Sequence, residues 1–160
     1  MIMIREMVTP PSVEEFKTLL KKHDLKATRQ RIAVHSAMLR LGHASAEMVK
    51  REIEEAGEDQ ITVASVYNTL AQLALLGIYQ HRFSSNNIMY FDINTFRHIH
   101  LYNSEENTYK DVIDEDVIDY VSGWLSKRRF KGYTVDGFDI QIICRPTNRR
   151  LRHNKPTNKK

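Results

Sequence analysis

Between Thr62 and Gly77, the apolar residues Val63, Val66, Leu70 and Leu73 fall at i, i+3, i+7 and i+10, one stripe of a 3.6-residue helix. Gly77 stands just past the last of them, where a left-handed cap is wanted. Then the period changes. Ile78–Phe83 and Ile88–Phe91 read as two short strands around the turn Ser84-Ser85-Asn86-Asn87. This switch from helix to hairpin is the strongest constraint on the fold.

What precedes it is helical. Ser12 and Glu15 make an S-x-x-E capping box ahead of Phe16, Leu19 and Leu20. A second helix starts at Thr28, carries Val34, Ala37, Met38 and Leu41, and stops at Gly42. A third starts near Ser45 and carries Met48, Val49 and Ile53. Helices followed by a hairpin give the order of a winged helix-turn-helix. Beyond Asp92 the pattern is mixed: strands near Ile99–Tyr102 and Tyr109–Val112, a helix from about Asp114 to Lys127, and strand-like Tyr133–Cys144. The expected class is α+β. A winged helix-turn-helix fills residues 1–91, a hinge 92–96, a small α/β domain 97–144 and a basic tail 145–160.

Two domains in 160 residues are both small, and small domains usually need a staple or a partner. Sulfur does not supply the staple: Cys144 is the only cysteine, so neither an internal disulfide nor a sulfur-bound structural zinc is expected. There is no apolar run of about 18 residues, so no membrane span is expected. The opening MIMIREMVTPP does not read as a secretion signal. A cytoplasmic protein is the plain expectation. From Arg145 to Lys160 there are seven Lys/Arg and no acid, while the whole chain carries only +4. Such a tail touches nucleic-acid phosphates or serves as a solvated, disordered end.

The helix after Thr62 turns Ala64, Ser65, Asn68, Ala71 and Gln72 away from its apolar stripe, with Tyr67 on the flank. An ordinary solvated face carries more Lys and Glu. Small residues allow close approach to a DNA groove, and amides pair with adenine edges. Lys26, Arg29, Arg31 and Arg82 would supply the phosphate contacts. A structural helix with a bland polar face is the other reading.

In "FRHIH", His98 and His100 are two apart on a strand and so share a face, with Tyr102 beyond them, while Ile99 and Leu101 turn to the core. Imidazoles with carboxylates suit iron(II), manganese, cobalt or zinc. Taken alone, an H-x-H pair is also a common surface feature.

"LKATRQRIAV", "GHASAEMV" and "TVASVYNTLAQLALLGI" together resemble the N-terminal domain of the ferric uptake regulator family, dimeric metal-dependent bacterial transcription factors. The resemblance continues through "YFDI" and "HIH" and more weakly to Cys144, roughly residues 15–147. It implies a double-stranded DNA operator as partner, a homodimer formed by the second domain, and no enzymatic activity. It places the recognition tyrosine on Tyr67, with Ser65 and Asn68 beside it, and the minor-groove lysine on Lys26. It places the regulatory metal ligands on His43, Asp92, His98, His100 and Asp111, one divalent ion per chain, iron(II) or manganese(II) in function and zinc as purified. Aspartate at both acid positions follows the peroxide-sensing branch.

The departures are also specific. The family's structural zinc is held by two C-x-x-C pairs, which fall here on Asn103 and Glu106 and on Cys144 and Thr147. Three of the four thiolates are gone, so that four-cysteine zinc is not expected. A further metal site of some members falls on Arg97 and Ile99, neither of which is a ligand. Two other classes stay open on the residues: a metal-independent winged-helix regulator with vestigial histidines, and a mononuclear metalloenzyme. The enzyme would need a substrate pocket that nothing in the sequence suggests.

Overall fold

The computed structural model of the protein describes residues 9–84 and 86–147. The first eight residues, Ser85 of the expected turn and the basic tail from 148 onward, with the role expected of it, lie outside the described residues. The chain divides into two compact units, with the boundary between Arg97 and His98.

The first unit holds helices α1 (Val13–Lys22), α2 (Arg29–Leu41), α3 (Ala46–Glu55) and α4 (Val63–Leu75). Each begins at a side-chain cap legible in the sequence: Ser12, Thr28, Ser45 and Thr62. Such a cap satisfies an orphan N–H of the first turn and is worth about 1 kcal/mol. At α1 the bond is reciprocal, since the Ser12 N–H donates to Glu15 Oε2 at 2.7 Å. α2 stops at Gly42, whose φ of +73° would strain any side chain and whose N–H donates to Met38 O.

These helices bury Phe16 and Leu20, Val34 and Met38, Val49 and Ile53, and Val66, Leu70 and Leu73 in one core, closed by Tyr79 and Phe91. Val63 departs from the expected stripe and is exposed. It occupies the first turn of α4, and Ile61, just before the cap, is buried in its place. The hairpin is β2 (Gln80–Phe83) against β3 (Met89–Asp92), antiparallel as expected. A third, unforeseen strand, β1 (His43–Ala44), pairs with the other edge of β3, giving the order β1-β3-β2. The expected hinge at 92–96 begins inside this sheet: Asp92 ends β3, and the buried Ile93 donates its N–H to Gly42 O.

The second unit is a three-stranded sheet, β4 (Ile99–Asn103), β5 (Thr108–Val112) and β6 (Ile140–Cys144), with one helix, α5 (Glu115–Ser126). The order is β5-β4-β6, antiparallel between β4 and β5 and parallel between β4 and β6. The strand expected over Tyr133–Cys144 shrinks to its last five residues. The ladder with β4 reaches only from Ile140 to Cys144, and Tyr133 and Val135 stand exposed. As the central strand, β4 is covered on both faces: Ile99 is buried, and so are His98, His100 and Tyr102. Leu101, expected in the core, is only half-buried. Mixed helix and sheet, with a winged-helix first unit and a small α/β second unit, is the α+β architecture read from the sequence. No helix among the described residues is long and apolar enough to cross a membrane.

Candidate metal centre and nucleic-acid interface

In the first unit, the short β1–β3 ladder sets His43 directly opposite Asp92. His43 Nε2 lies 2.9 Å from Asp92 Oδ2, with both side chains buried. The other carboxylate oxygen, Oδ1, accepts the Asn94 N–H at 2.8 Å, which fixes the rotamer of the acid. Two residues of ladder thus hold an imidazole and a carboxylate as a rigid pair.

The second unit carries three more of the expected ligands. His98 and His100 share a face of the β4 chain, their ring centroids 4.2 Å apart and tilted by 59°. Asp111 is paired in register with His100, but its Oδ1 lies 3.1 Å from His98 Nε2, a diagonal approach across the β4–β5 ladder. A ligand atom from each of His98, His100 and Asp111 lies within 4.8 Å of the other two. Two atoms each about 2.1 Å from one ion are at most about 4.2 Å apart, so a small tightening would let all three share an ion. Buried imidazole nitrogens and a carboxylate oxygen are the donor set that iron(II), manganese(II) or zinc accepts.

One residue of this region was not legible in the sequence. Asp139 Oδ1 lies 3.1 Å from His100 Nδ1. Asp139 stands immediately before β6, in a stretch read from the sequence as plain strand, and no spacing rule singles it out.

At the corner where the resemblance puts thiolates, hydrogen bonds take their place. Asn103 Nδ2 donates to Glu106 Oε2 at 3.0 Å. The Ser104 N–H and hydroxyl both donate to the Cys144 carbonyl.

On the nucleic-acid side, α4 leaves Tyr67 and Asn68 exposed and Ser65 half-exposed. The Tyr67 ring rests edge-on against Phe91, centroids 5.9 Å apart at 75°, which limits its rotamers. Ser65 closes the first turn of α4, its Oγ accepting from Thr62 Oγ1 at 3.1 Å. Lys26 is exposed, and its carbonyl accepts from Arg31 Nη1 at 2.7 Å. Arg31 Nη2 reaches Gln72 Oε1 at 3.0 Å and so ties that loop to α4. Arg29 is exposed but tethered, donating to Glu58 O at 2.7 Å beside Asp59. Arg82 on β2 is half-buried.

The model of the ferric uptake regulator family matches residues 22–136. Among solved structures, the Vibrio cholerae ferric uptake regulator superposes with a TM-score of 0.69 at 20% identity, covering 82% of this chain and 99% of that one. The Helicobacter pylori regulator, described with three functional metal-binding sites, gives 0.64 at 21% identity over 88% and 95%. A Campylobacter jejuni peroxide stress regulator gives 0.60 at 25% identity over 82% and 96%. No curated protein matches the chain by sequence.

Proposed function

The chain belongs to the ferric uptake regulator family, metal-responsive DNA-binding transcription regulators and not enzymes, and we propose that it is a cytoplasmic repressor whose hold on its operator depends on one divalent ion per chain. The observation that carries this reading is the division of the five ligands. His43 and Asp92 belong to the unit that carries α4, while His98, His100 and Asp111 belong to the other. Closing both sets on one ion would fix the angle between the units.

The proposed partner is a second copy of this chain. β6 is an edge strand with Ile142 and Ile143 exposed, and Val117 and Trp124 of α5, with Ile113 just before it, lie in solvent. In a dimer, the angle between units sets the separation of the two α4 helices, which must match half-sites about one helical turn, roughly 34–36 Å, apart. Tyr67, Asn68 and Ser65 then read bases, and Lys26, Arg29 and Arg82 hold the phosphates. The bound ion would supply charge and coordination geometry and, as iron(II), a reductant for peroxide. Nitrogen and oxygen donors suit iron(II), manganese(II) and zinc alike; the working ion proposed is iron(II) or manganese(II), with zinc a competitor during purification. Aspartate at both acid positions supports peroxide, acting through bound iron(II), as a signal beside iron itself.

By linkage, the ion raises operator affinity by the factor by which the operator raises ion affinity, about 5–150-fold in the usual range. The test is operator affinity with and without manganese(II) for wild type, His98→Ala and Asp111→Ala. The variants should fold and lose the stimulation. Equal wild-type affinity with the ion removed would favour a metal-independent winged-helix regulator.

A further inference from the structure

We propose that Asp139 is a positioning residue for the metal site, one that holds His100 in the tautomer that can bind an ion. The inference rests on the five-ligand reading above and adds a residue to it. In the parallel β4–β6 ladder, His100 is in register with Gln141. Asp139 comes two residues earlier, so it lies on the same side of the sheet, one diagonal step away. Its carboxylate meets the Nδ1 edge of the His100 ring at 3.1 Å. The imidazole is buried, while the carboxylate is 56% exposed.

A carboxylate is an acceptor only, so a neutral His100 in this bond carries its proton on Nδ1. The lone pair then lies on Nε2, on the far side of the ring. An imidazole binds an ion through its unprotonated nitrogen, and the partner of the other nitrogen decides which one that is. Asp139 therefore selects Nε2 as the donor and locks the ring plane. It does so from outside the ligand group of His98, His100 and Asp111. The other two histidines are arranged differently. His43 and His98 meet Asp92 and Asp111 through Nε2, and those acids are themselves proposed ligands. His100 instead meets Asp139, a carboxylate that is not among the proposed ligands.

Partners of this kind typically contribute 10–100-fold to metal affinity. Manganese(II) affinity of the full chain, measured by competition with a chromophoric chelator, should fall by about that factor in Asp139→Ala. Asp139→Asn keeps an acceptor oxygen and should recover most of the loss, which a purely structural role of the loop would not require. Long-range nitrogen–proton spectra of the histidine rings, taken without metal, should show His100 protonated on Nδ1 in wild type and released from that state in Asp139→Ala. Unchanged affinity in Asp139→Ala, or an unchanged proton position, overturns the inference and leaves the five-ligand reading standing. A wild-type chain that takes up no manganese overturns that reading and this inference with it.

Discussion

Phe16, Leu20, Met38, Ile53, Leu70 and Leu73 of the first unit are fully buried, whereas Ile113, Trp124, Ile142 and Ile143 of the second are exposed. Burying one such side chain is worth about 1.5–3 kcal/mol, so the contrast is large. Among the described residues, the second unit buries Ile99, Tyr102, Tyr109 and Ile118, together with His98 and His100. Its interior is made largely of aromatic rings with polar atoms, which need partners; the Tyr102 hydroxyl finds one in Asn107 Oδ1 at 2.7 Å. The first unit is built to stand on its own core. The second leaves Ile113, Trp124, Ile142 and Ile143 in solvent, the face on which the proposed second copy would pack. On that proposal, stability in the one is local, and in the other it would depend on concentration.

The largest effect should come from the first unit. Leu70→Ala removes a fully buried side chain from the middle of α4 and should cost about 2–5 kcal/mol in denaturant unfolding, at any protein concentration. A cost under about 1 kcal/mol would mean that this core is not what holds the unit together.

Trp124→Ala sharpens the other side. Trp124 is 46% exposed, with the Arg128 guanidinium 4.9 Å above its ring. If a second copy covers this face, truncation should weaken dimerisation by about 2 kcal/mol, roughly thirtyfold, in sedimentation equilibrium. The variant should then lose its dimer at a concentration where Leu70→Ala keeps it. An unaltered dimer would place the interface elsewhere.

The smallest effect concerns a buried titratable group of the first unit. His35 stacks on Phe16 at 3.9 Å, with Nδ1 2.7 Å from the Tyr79 hydroxyl and Nε2 2.7 Å from Pro11 O. Pro11 O can only accept, so the neutral ring keeps its proton on Nε2, and Nδ1 accepts from Tyr79. Burial pushes the Tyr79 phenol up, which keeps it a donor. Burial lowers the His35 pKa below 6.5, against an upward pull from the Pro11 and Ser12 backbone. A depressed folded value means that the contribution of His35 is complete above the unfolded pKa and is lost as pH falls through the folded one. The unfolding midpoint should hold above about pH 6.5 and decline below it. His35→Leu should be less stable at neutral pH but show a shallower decline. An identical decline in both would assign the effect to other groups.

The helices of the first unit were legible because each is marked twice, by a cap residue and by a 3.6-residue stripe, as at Thr62 and Leu70. β1 was not: two residues have no period, and the strand exists because β3 offers a free edge beside His43. The five expected ligand positions could be named from a pattern, yet the cross-ladder meeting of His98 with Asp111 could not, since only the register shows it. Asp139 was illegible for a related reason. Its role depends on a parallel pairing between strands far apart in the chain, and nothing local encodes such a pairing.

That pairing also orders events during synthesis. A chain emerging from the ribosome can complete the first unit once Ile93 is out, because its strands and helices are neighbours in sequence. β4, which carries His100 and directly follows His98, gains one neighbour soon after, in β5, but its second only when Cys144 has been made. The first unit can therefore be completed first, and the sheet of the second unit last. A nascent or prematurely ended chain would carry a folded first unit while β4 still lacked its second neighbour.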